Sequence, residues 1–458
     1  MQLSVEVLKK WFSDHREQIL KDFFTFLRFP SISTDPKHFE DSRHTAEWLR
    51  GYLQQIGLEA VLWETPSFPV VFASYLKAGP KRPTVLIYHH YDIQPVDPVE
   101  LWNSDPFEPV VKNHCVYARG ALDNKGQCFY TLTALKAIFD LAKTLNCNIK
   151  VFIEGEEESG GKGTTAILQE RSEELTADHL LVVDFGIPDA KTPAVTLGFR
   201  GVLTMEICCA NSAIDLHSGE HGGIALNPNR ALATLLASLW DRTGRIAIPH
   251  FYDQVRPLSE KQLASIDMSF DVEKYQKEFG VKAFCQEQGY SIVESNWMRP
   301  TLEINGMWGG YTGSGFKTVI PSRAFAKISC RLVPDQEPDF IGKLVLEFLK
   351  AHAMPGIEIT GEIYHGAAGF RSAFDSQIVH IAAEAFSEVF KKPCHYQLCG
   401  ASVPIVGDLS RASGAQVAML GVGLASDNIH APNEHFGLDR FELGYLTMGR
   451  ILSILGGR

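Results

Sequence analysis

Four short runs along this chain are apolar at nearly every position instead of every second one: "TVLIY" (84–88), "IKVFI" (149–153), "LLVV" (180–183) and "VAML" (417–420). Polar residues or glycines bound each of them. Unbroken apolar runs of this length predict strands buried on both faces, as in a parallel sheet. Between the first two lies "GQCFYTLTALKAIFDLAKTL", whose pattern predicts an amphipathic helix. The first sixty residues read as helical too. In "DSRHTAEWLRGYLQQIG", Asp41 or Ser42 is the expected N-cap and Gly57 the stop. Strands alternating with helices predict an α/β layer architecture: a mostly parallel, mixed sheet flanked by helices.

The pattern changes from "GFRGVLTMEICCA" (198–210) onward. "RAFAKISCRLVP" alternates as a half-buried strand does, and "LNPNRALATLLASLW" and "DFIGKLVLEFLKAHA" read as helices. Residues 198–365 are therefore expected to form an α+β insertion, a lid or dimerisation domain. Residues 1–197 and 366–458 would form the two parts of one catalytic domain. No internal repeat interrupts this scheme.

Composition narrows the class. The 458 residues are 45% hydrophobic and 21% charged, ordinary for a globular chain with a sizeable core, and the formal net charge of −11 argues against a nucleic-acid partner. Nine scattered cysteines without a CxxC pair read as reduced thiols. There is no uninterrupted apolar h-region and no run long enough to span a bilayer. These features predict a cytoplasmic protein without a membrane partner.

The chemistry sits where the buried runs end. "TVLIY" leads into "HHYD", "IKVFI" into "EGEEE" and "LLVV" into Asp184, while "VAML" is followed within ten residues by "SDNIHAPNEH". "RGALDNKG" adds Asp123 ahead of a helix. Each signal alone has a plain structural reading. The acidic run suits a solvated loop or a helix N-terminus, Asp123 an N-cap, and His430 an ordinary surface position. Together they change the reading, because open α/β sheets bind ligands beyond the carboxyl ends of their strands. Carboxylates and imidazoles without thiolates suit zinc, manganese or cobalt. Five or more such ligands suggest two ions sharing a bridging carboxylate. His90 and Asp92, two apart on an extended strand, share a face, so Asp92 can orient the His90 imidazole. "SGGKGTT" lacks the spacing of a phosphate-binding loop.

Seven ordered motifs, "YHHYDIQP", "ARGALDNKG", "EGEEESG", "VVDFG", "DLHSGEHGG", "KTVIPSRAFAKISCRLVPDQEP" and "IHAPNEH", make the chain resemble the M20 metallopeptidases from about residue 84 to 440. Within that family it resembles the dipeptidase branch of cytosolic nonspecific dipeptidases and carnosinases. The resemblance implies two divalent ions per subunit, zinc first, with manganese or cobalt as alternatives. His90 and Asp184 would hold one, Glu158 and His430 the other, and Asp123 both. It implies hydrolysis of dipeptides by a metal-activated water, with Glu157 as general base, Asp92 supporting His90, and a non-proline cis peptide at Asp123–Asn124. His217 would polarise the scissile carbonyl across a homodimer interface. Arg331 and Thr318 would hold the substrate carboxylate, with Ser402 helping from the catalytic domain. The alternatives are an N-acyl-amino-acid deacylase or desuccinylase on the same scaffold, and a non-catalytic binding protein. The chain departs from the family pattern at His89, where glycine is usual, at Glu156, where methionine is frequent, and before "CGASVP", which lacks an arginine–glutamate lead-in. His89, Glu154 and Glu156 are read as bystanders.

Overall fold

The four apolar runs become the centre of one mixed sheet in a computed structural model that describes residues 3–142, 145–266, 269–400 and 403–457. Seven of its nine described strands are β1 (Glu59–Trp63), β2 (Val70–Tyr75), β3 (Thr84–His90), β4 (Asn148–Glu154), β5 (His179–Val183), β6 (Ala194–Phe199) and β7 (Gln416–Leu420), and the short strands Phe370–Arg371 and His395–Cys399 both pair with β6. The seven lie in the order β1-β2-β4-β3-β5-β7-β6. The β4/β3, β3/β5 and β5/β7 pairs are parallel, while the flanking β1/β2, β2/β4 and β7/β6 pairs are antiparallel. The four runs are thus the parallel core, buried along almost their whole length.

Helices α1 (Val5–Leu27), α2 (Phe39–Gln55), α3 (Lys125–Ala142), α4 (Lys162–Glu170) and α5 (Leu438–Gly457) belong to the same unit as β1–β5 and β7. Helix α3 corrects the amphipathic reading. It buries every residue from Lys125 to Leu135, because it packs against β3 on one side and against α1 and α5 on the others. Along that stretch the helix has no solvent face to keep polar; only beyond it do Lys136 and Asp140 reach solvent. Its first residue, Lys125, is buried, and its Nζ donates to the carbonyls of Phe29 (2.5 Å) and Phe26 (3.3 Å). That ties the start of α3 to the end of α1. Helix α2 also starts earlier than its sequence predicts. A 3₁₀ turn at Pro36–His38, capped by Asp35, feeds directly into it, so Asp41 lies inside the first turn and pairs with His38 at 2.7 Å.

The chain separates into two compact units: residues up to Leu197 with Ser372–Gln397 and Ile405 onward, and Gly198–Arg371 with Leu398–Pro404. The return to the first unit comes at Ser372, not at 366, because the strand Glu358–Ala367 is still paired along Gly201–Ala210. Leu398–Pro404 groups with the second unit, where the Arg200 guanidinium donates to the Gly400 carbonyl at 3.4 Å. The second unit is built on a four-stranded antiparallel sheet ordered 301–309, 323–332, 201–210, 358–367. Gly201–Ala210 alternates buried and half-buried positions, as a one-sided sheet requires. Helices Pro228–Ala237 and Pro338–Ala351 contribute Leu232, Leu235, Ile341 and Val345 to its core.

Phe129 is the keystone of the first unit's aromatic core, fully buried and in ring contact with Phe23, Phe26, Trp48, Tyr52 and Phe441. Phe129→Ala should lower the unfolding free energy by about 3–5 kcal/mol. Denaturant midpoints with an unchanged slope would register it, and a loss below 1 kcal/mol would mean that the core closes over the gap.

Candidate metal centre

Parallel pairing puts the carboxyl ends of β3, β4, β5 and β7 at one edge of the sheet. His90 is the last residue of β3, and Asp184 directly follows β5. Glu157 and Glu158 lie in a 3₁₀ turn, Glu157–Ser159, two residues beyond β4. The turn into it is tight: a Cβ on Gly155 would sit 2.2 Å from the Tyr91 hydroxyl. Asp123 comes from the loop before α3, and the Asp123–Asn124 peptide is cis. His430 stands in the loop after β7, with φ of 60°. A buried bidentate pair anchors that loop: both Arg440 Nη atoms donate to Asp427 at 2.6 Å.

The side chains meet in two groups that share Asp123. His90, Asp123 and Asp184 form one, Asp123, Glu158 and His430 the other, and within each the potential ligand atoms all lie within 4.8 Å of one another. Asp123 divides its oxygens between them. Oδ1 is 3.2 Å from His90 Nε2, and Oδ2 is 3.0 Å from His430 Nε2. Asp184 Oδ1 stands 3.7 Å from His90 Nε2, and Glu158 Oε1 3.1 Å from His430 Nε2.

Hydrogen bonds hold this arrangement against its own repulsion. His90 Nδ1 donates to the Asp92 carbonyl at 3.1 Å and lies 3.3 Å from Asp92 Oδ1. That fixes the ring tautomer and leaves Nε2 facing the acids. The Asp92 carboxylate accepts from the backbone N–H groups of Glu157 (3.2 Å) and Glu158 (3.0 Å) and from the Ser33 hydroxyl (2.6 Å). Asp92 therefore orients both the histidine and the acidic turn. Glu434, fully buried, accepts from Arg119, Gly120, Leu122 and Asp123 at 2.8–3.1 Å and so shapes the Asp123 loop. Asn124 Nδ2 donates to Asp184 Oδ1 at 2.5 Å and to the Val183 carbonyl at 2.8 Å.

The glutamates of the acidic stretch have separate employments. Glu154 accepts from the Tyr88 hydroxyl at 2.7 Å, and Glu156 accepts from the Thr164 N–H (2.6 Å) and hydroxyl (3.1 Å) in the first turn of α4. Both are held in structural hydrogen bonds, and neither belongs to the groups of potential metal ligands. Glu158 takes a hydrogen bond from Gln94 at 2.7 Å on its second oxygen. Burial lifts the Glu157 carboxyl well above its ordinary range; Asp184, Glu158 and Asp92 add to the lift and His90 opposes it. Its hydrogen bond with Asp123, and then the Glu158 carboxylate close beside it, raise the His430 imidazole to about 10.

The donor set fits divalent cations. His90 Nε2 and Glu158 Oε1 are buried and aimed into the cluster, yet among the described residues neither makes a hydrogen bond. Buried polar atoms normally have partners, and imidazole nitrogens together with carboxylate oxygens suit divalent cations such as zinc or manganese. The sequence matches peptidase family M20/M25/M40 over residues 86–453. The chain belongs to this family.

Among its M20 relatives, the Beta-Ala-His dipeptidase of Rattus norvegicus is 30% identical over 377 residues, 81% of this chain and 76% of the rat protein. A Cys-Gly metallodipeptidase of Candida albicans is 28% identical over 452 residues, covering 94% and 93% of the two chains. The solved M20 metallo-carboxypeptidase of Sulfolobus solfataricus superposes with a TM-score of 0.83 at 31% identity, over 96% of this chain and 99% of that one. Human carnosine dipeptidase 1 superposes with a TM-score of 0.77 at 26% identity, over 99% and 100%. The α/β fold with its mixed, helix-flanked sheet is that of the M20 peptidases.

The remaining candidate residues lie in the second unit. His217 is exposed on a two-residue strand paired with Val319, and its Nδ1 accepts from the Gly219 N–H at 3.0 Å. Thr318 is exposed, and its carbonyl accepts from the Ser218 N–H at 3.0 Å. Arg331 is half-buried on the strand Arg323–Leu332, opposite Thr301 and Val202. It lines a cavity of about 350 Å³ with Arg200, Glu303, Trp240, Tyr252 and Phe284. Ser402 lies outside the described residues. Sequence reasoning assigned no role to Glu434 or Asn124, although both stand inside quoted motifs, each beside a candidate ligand loop.

Burial lifts the Glu154 carboxyl to about 7. A carboxyl whose folded pKa is raised contributes stability fully present below its unfolded value near 4.5 and lost as pH rises through about 7. Between pH 4.5 and 7.5 the native chain should therefore lose on the order of 3 kcal/mol relative to Glu154→Gln, which has no such titration. Denaturant unfolding of both proteins across that range checks it, and parallel pH profiles would contradict it.

Proposed function

We propose that this chain hydrolyses dipeptides at the Asp123-centred cluster, with two divalent ions, zinc first, and Glu157 as the general base. The chain is a metal-dependent dipeptidase. One observation carries this reading above the others: Asp123 offers one carboxylate oxygen to each of two histidine–carboxylate groups. His90 and Asp184 would hold one ion, Glu158 and His430 the second, and Asp123 both. Bound there, the ions would supply Lewis acidity to a water and to the scissile carbonyl.

The chain's own residues do the rest. Glu157 takes a proton from the attacking water and returns one to the leaving amine, a task favoured by a carboxylate whose proton affinity its surroundings raise. Asp92 keeps Glu157 and Glu158 in register through their backbone N–H groups. His217, contributed by the partner of a homodimer, polarises the carbonyl. Arg331 grips the substrate carboxylate in a fork, with Thr318 and Ser402 as further donors. Two guanidiniums, Arg331 and Arg200, line one cavity of the second unit, which supports a carboxylate-binding role. Relatives named for dipeptides support a small peptide substrate. None of the nine cysteines is in a disulfide, which favours a reducing, cytoplasmic setting. The Sulfolobus structure is that of a carboxypeptidase, so trimming of longer peptides is the second reading.

Glu157→Gln should keep its metal and lose at least about 100-fold in turnover. Metal content and initial rates on a panel of dipeptides, longer peptides and acetylated amino acids measure both. Near-normal turnover by the variant would remove Glu157 from the mechanism. Preference for acetylated amino acids would replace the dipeptidase reading with a deacylase.

A further inference from the structure

We propose that His89 is a positioning residue for the metal centre: it fixes the Asn124 amide so that Asn124 holds the Asp184 carboxylate in place. The inference rests on the reading of Asp184 as a metal ligand.

The hydrogen-bond roles leave no choice of sense. Asn124 Nδ2 faces the Val183 carbonyl (2.8 Å) and Asp184 Oδ1 (2.5 Å), both of which accept. Its Oδ1 must then point the other way, where His89 Nδ1 stands at 2.8 Å. An amide oxygen cannot donate, so His89 carries its proton on Nδ1. His89 and Asn124 are both fully buried, with no solvent to substitute for either. His89 Nε2 is buried and, among the described residues, has no hydrogen-bond partner. The imidazole thus leaves one buried nitrogen unsatisfied while its other nitrogen serves Asn124.

Without that donor, the Asn124 oxygen would be a buried acceptor with nothing to accept from. The amide could then rotate and turn its oxygen towards Asp184, where it meets a carboxylate of like polarity. Outer hydrogen-bond partners of metal ligands typically change metal affinity by about 10–100-fold. His89 acts one bond further out, through Asn124, so the lower end of that range applies.

Asparagine at position 89 would place its amide nitrogen one bond beyond Cγ, where histidine places Nδ1. Leucine fills similar space and donates nothing. The zinc-loaded wild-type, His89→Asn and His89→Leu enzymes are titrated with a chromophoric chelator, and circular dichroism confirms that each is folded. His89→Leu should surrender one of its ions at about 10-fold lower chelator concentration than wild type, while His89→Asn stays within about twofold. Equal retention by His89→Leu, or equal loss by His89→Asn, would overturn the assignment. If His89→Leu does not fold, His89→Met gives the same comparison. Failure of both to fold would make the donor a requirement of the core and overturn the positioning role. A wild-type enzyme that takes up no zinc would instead refute the underlying metal reading, and this inference with it.

Discussion

Like charges that should repel are held together at one sheet edge, and the rest of the structure is arranged to keep them there. Asp123, Glu157, Glu158 and Asp184 converge within a partly buried space where the low dielectric strengthens their repulsion. In the chain alone, His90 and His430 offset part of that charge, and their imidazoles are lifted above the ordinary range as a result. Binding a cation requires those rings to give up a proton, so metal binding and protonation compete at the same atoms. A site that concentrates negative charge in this way is stable on its own terms only when positive charge occupies it.

The loops that carry this charge are held by a hydrogen-bonded layer one step out, two of whose members, Asp92 and Glu434, are themselves carboxylates. Asp92 gathers two backbone N–H groups, Glu434 gathers three together with Arg119, and Asn124 reaches Asp184. Each of these outer residues is buried, and each hydrogen bond constrains a loop that carries a candidate ligand. The parallel register of β3, β4, β5 and β7 brings the loops to one edge, and these bonds set where the side chains stand within it. Lys125 ties α3 to α1 and the Arg440–Asp427 pair anchors the last loop, so the core extends the same control outward.

Much of this was legible in the chain. Unbroken apolar runs identify buried parallel strands because both faces need apolar side chains, and the acids after them mark the ligand edge. The seven ordered motifs named the family. What stayed hidden depends on tertiary neighbours. The enclosed helix α3 reads as amphipathic because Lys125, Gln127 and Thr131 look solvent-facing until their buried partners are known. Glu154 and Glu156 look like surplus charge because their acceptor roles are filled by Tyr88, which lies sixty-six residues away in sequence, and by Thr164, in the following helix. His89 looks idle because its partner, Asn124, approaches from a different loop. Periodicity reports which face is buried and says nothing about who waits there.

The chemistry at this site depends on whether Asp123 serves two ions at once. Anomalous diffraction from crystals loaded with zinc or manganese tests this directly. Two peaks are predicted, one touching His90 and Asp184 and the other Glu158 and His430, with Asp123 in contact with both. A single peak, or two peaks of which neither touches Asp123, would contradict it.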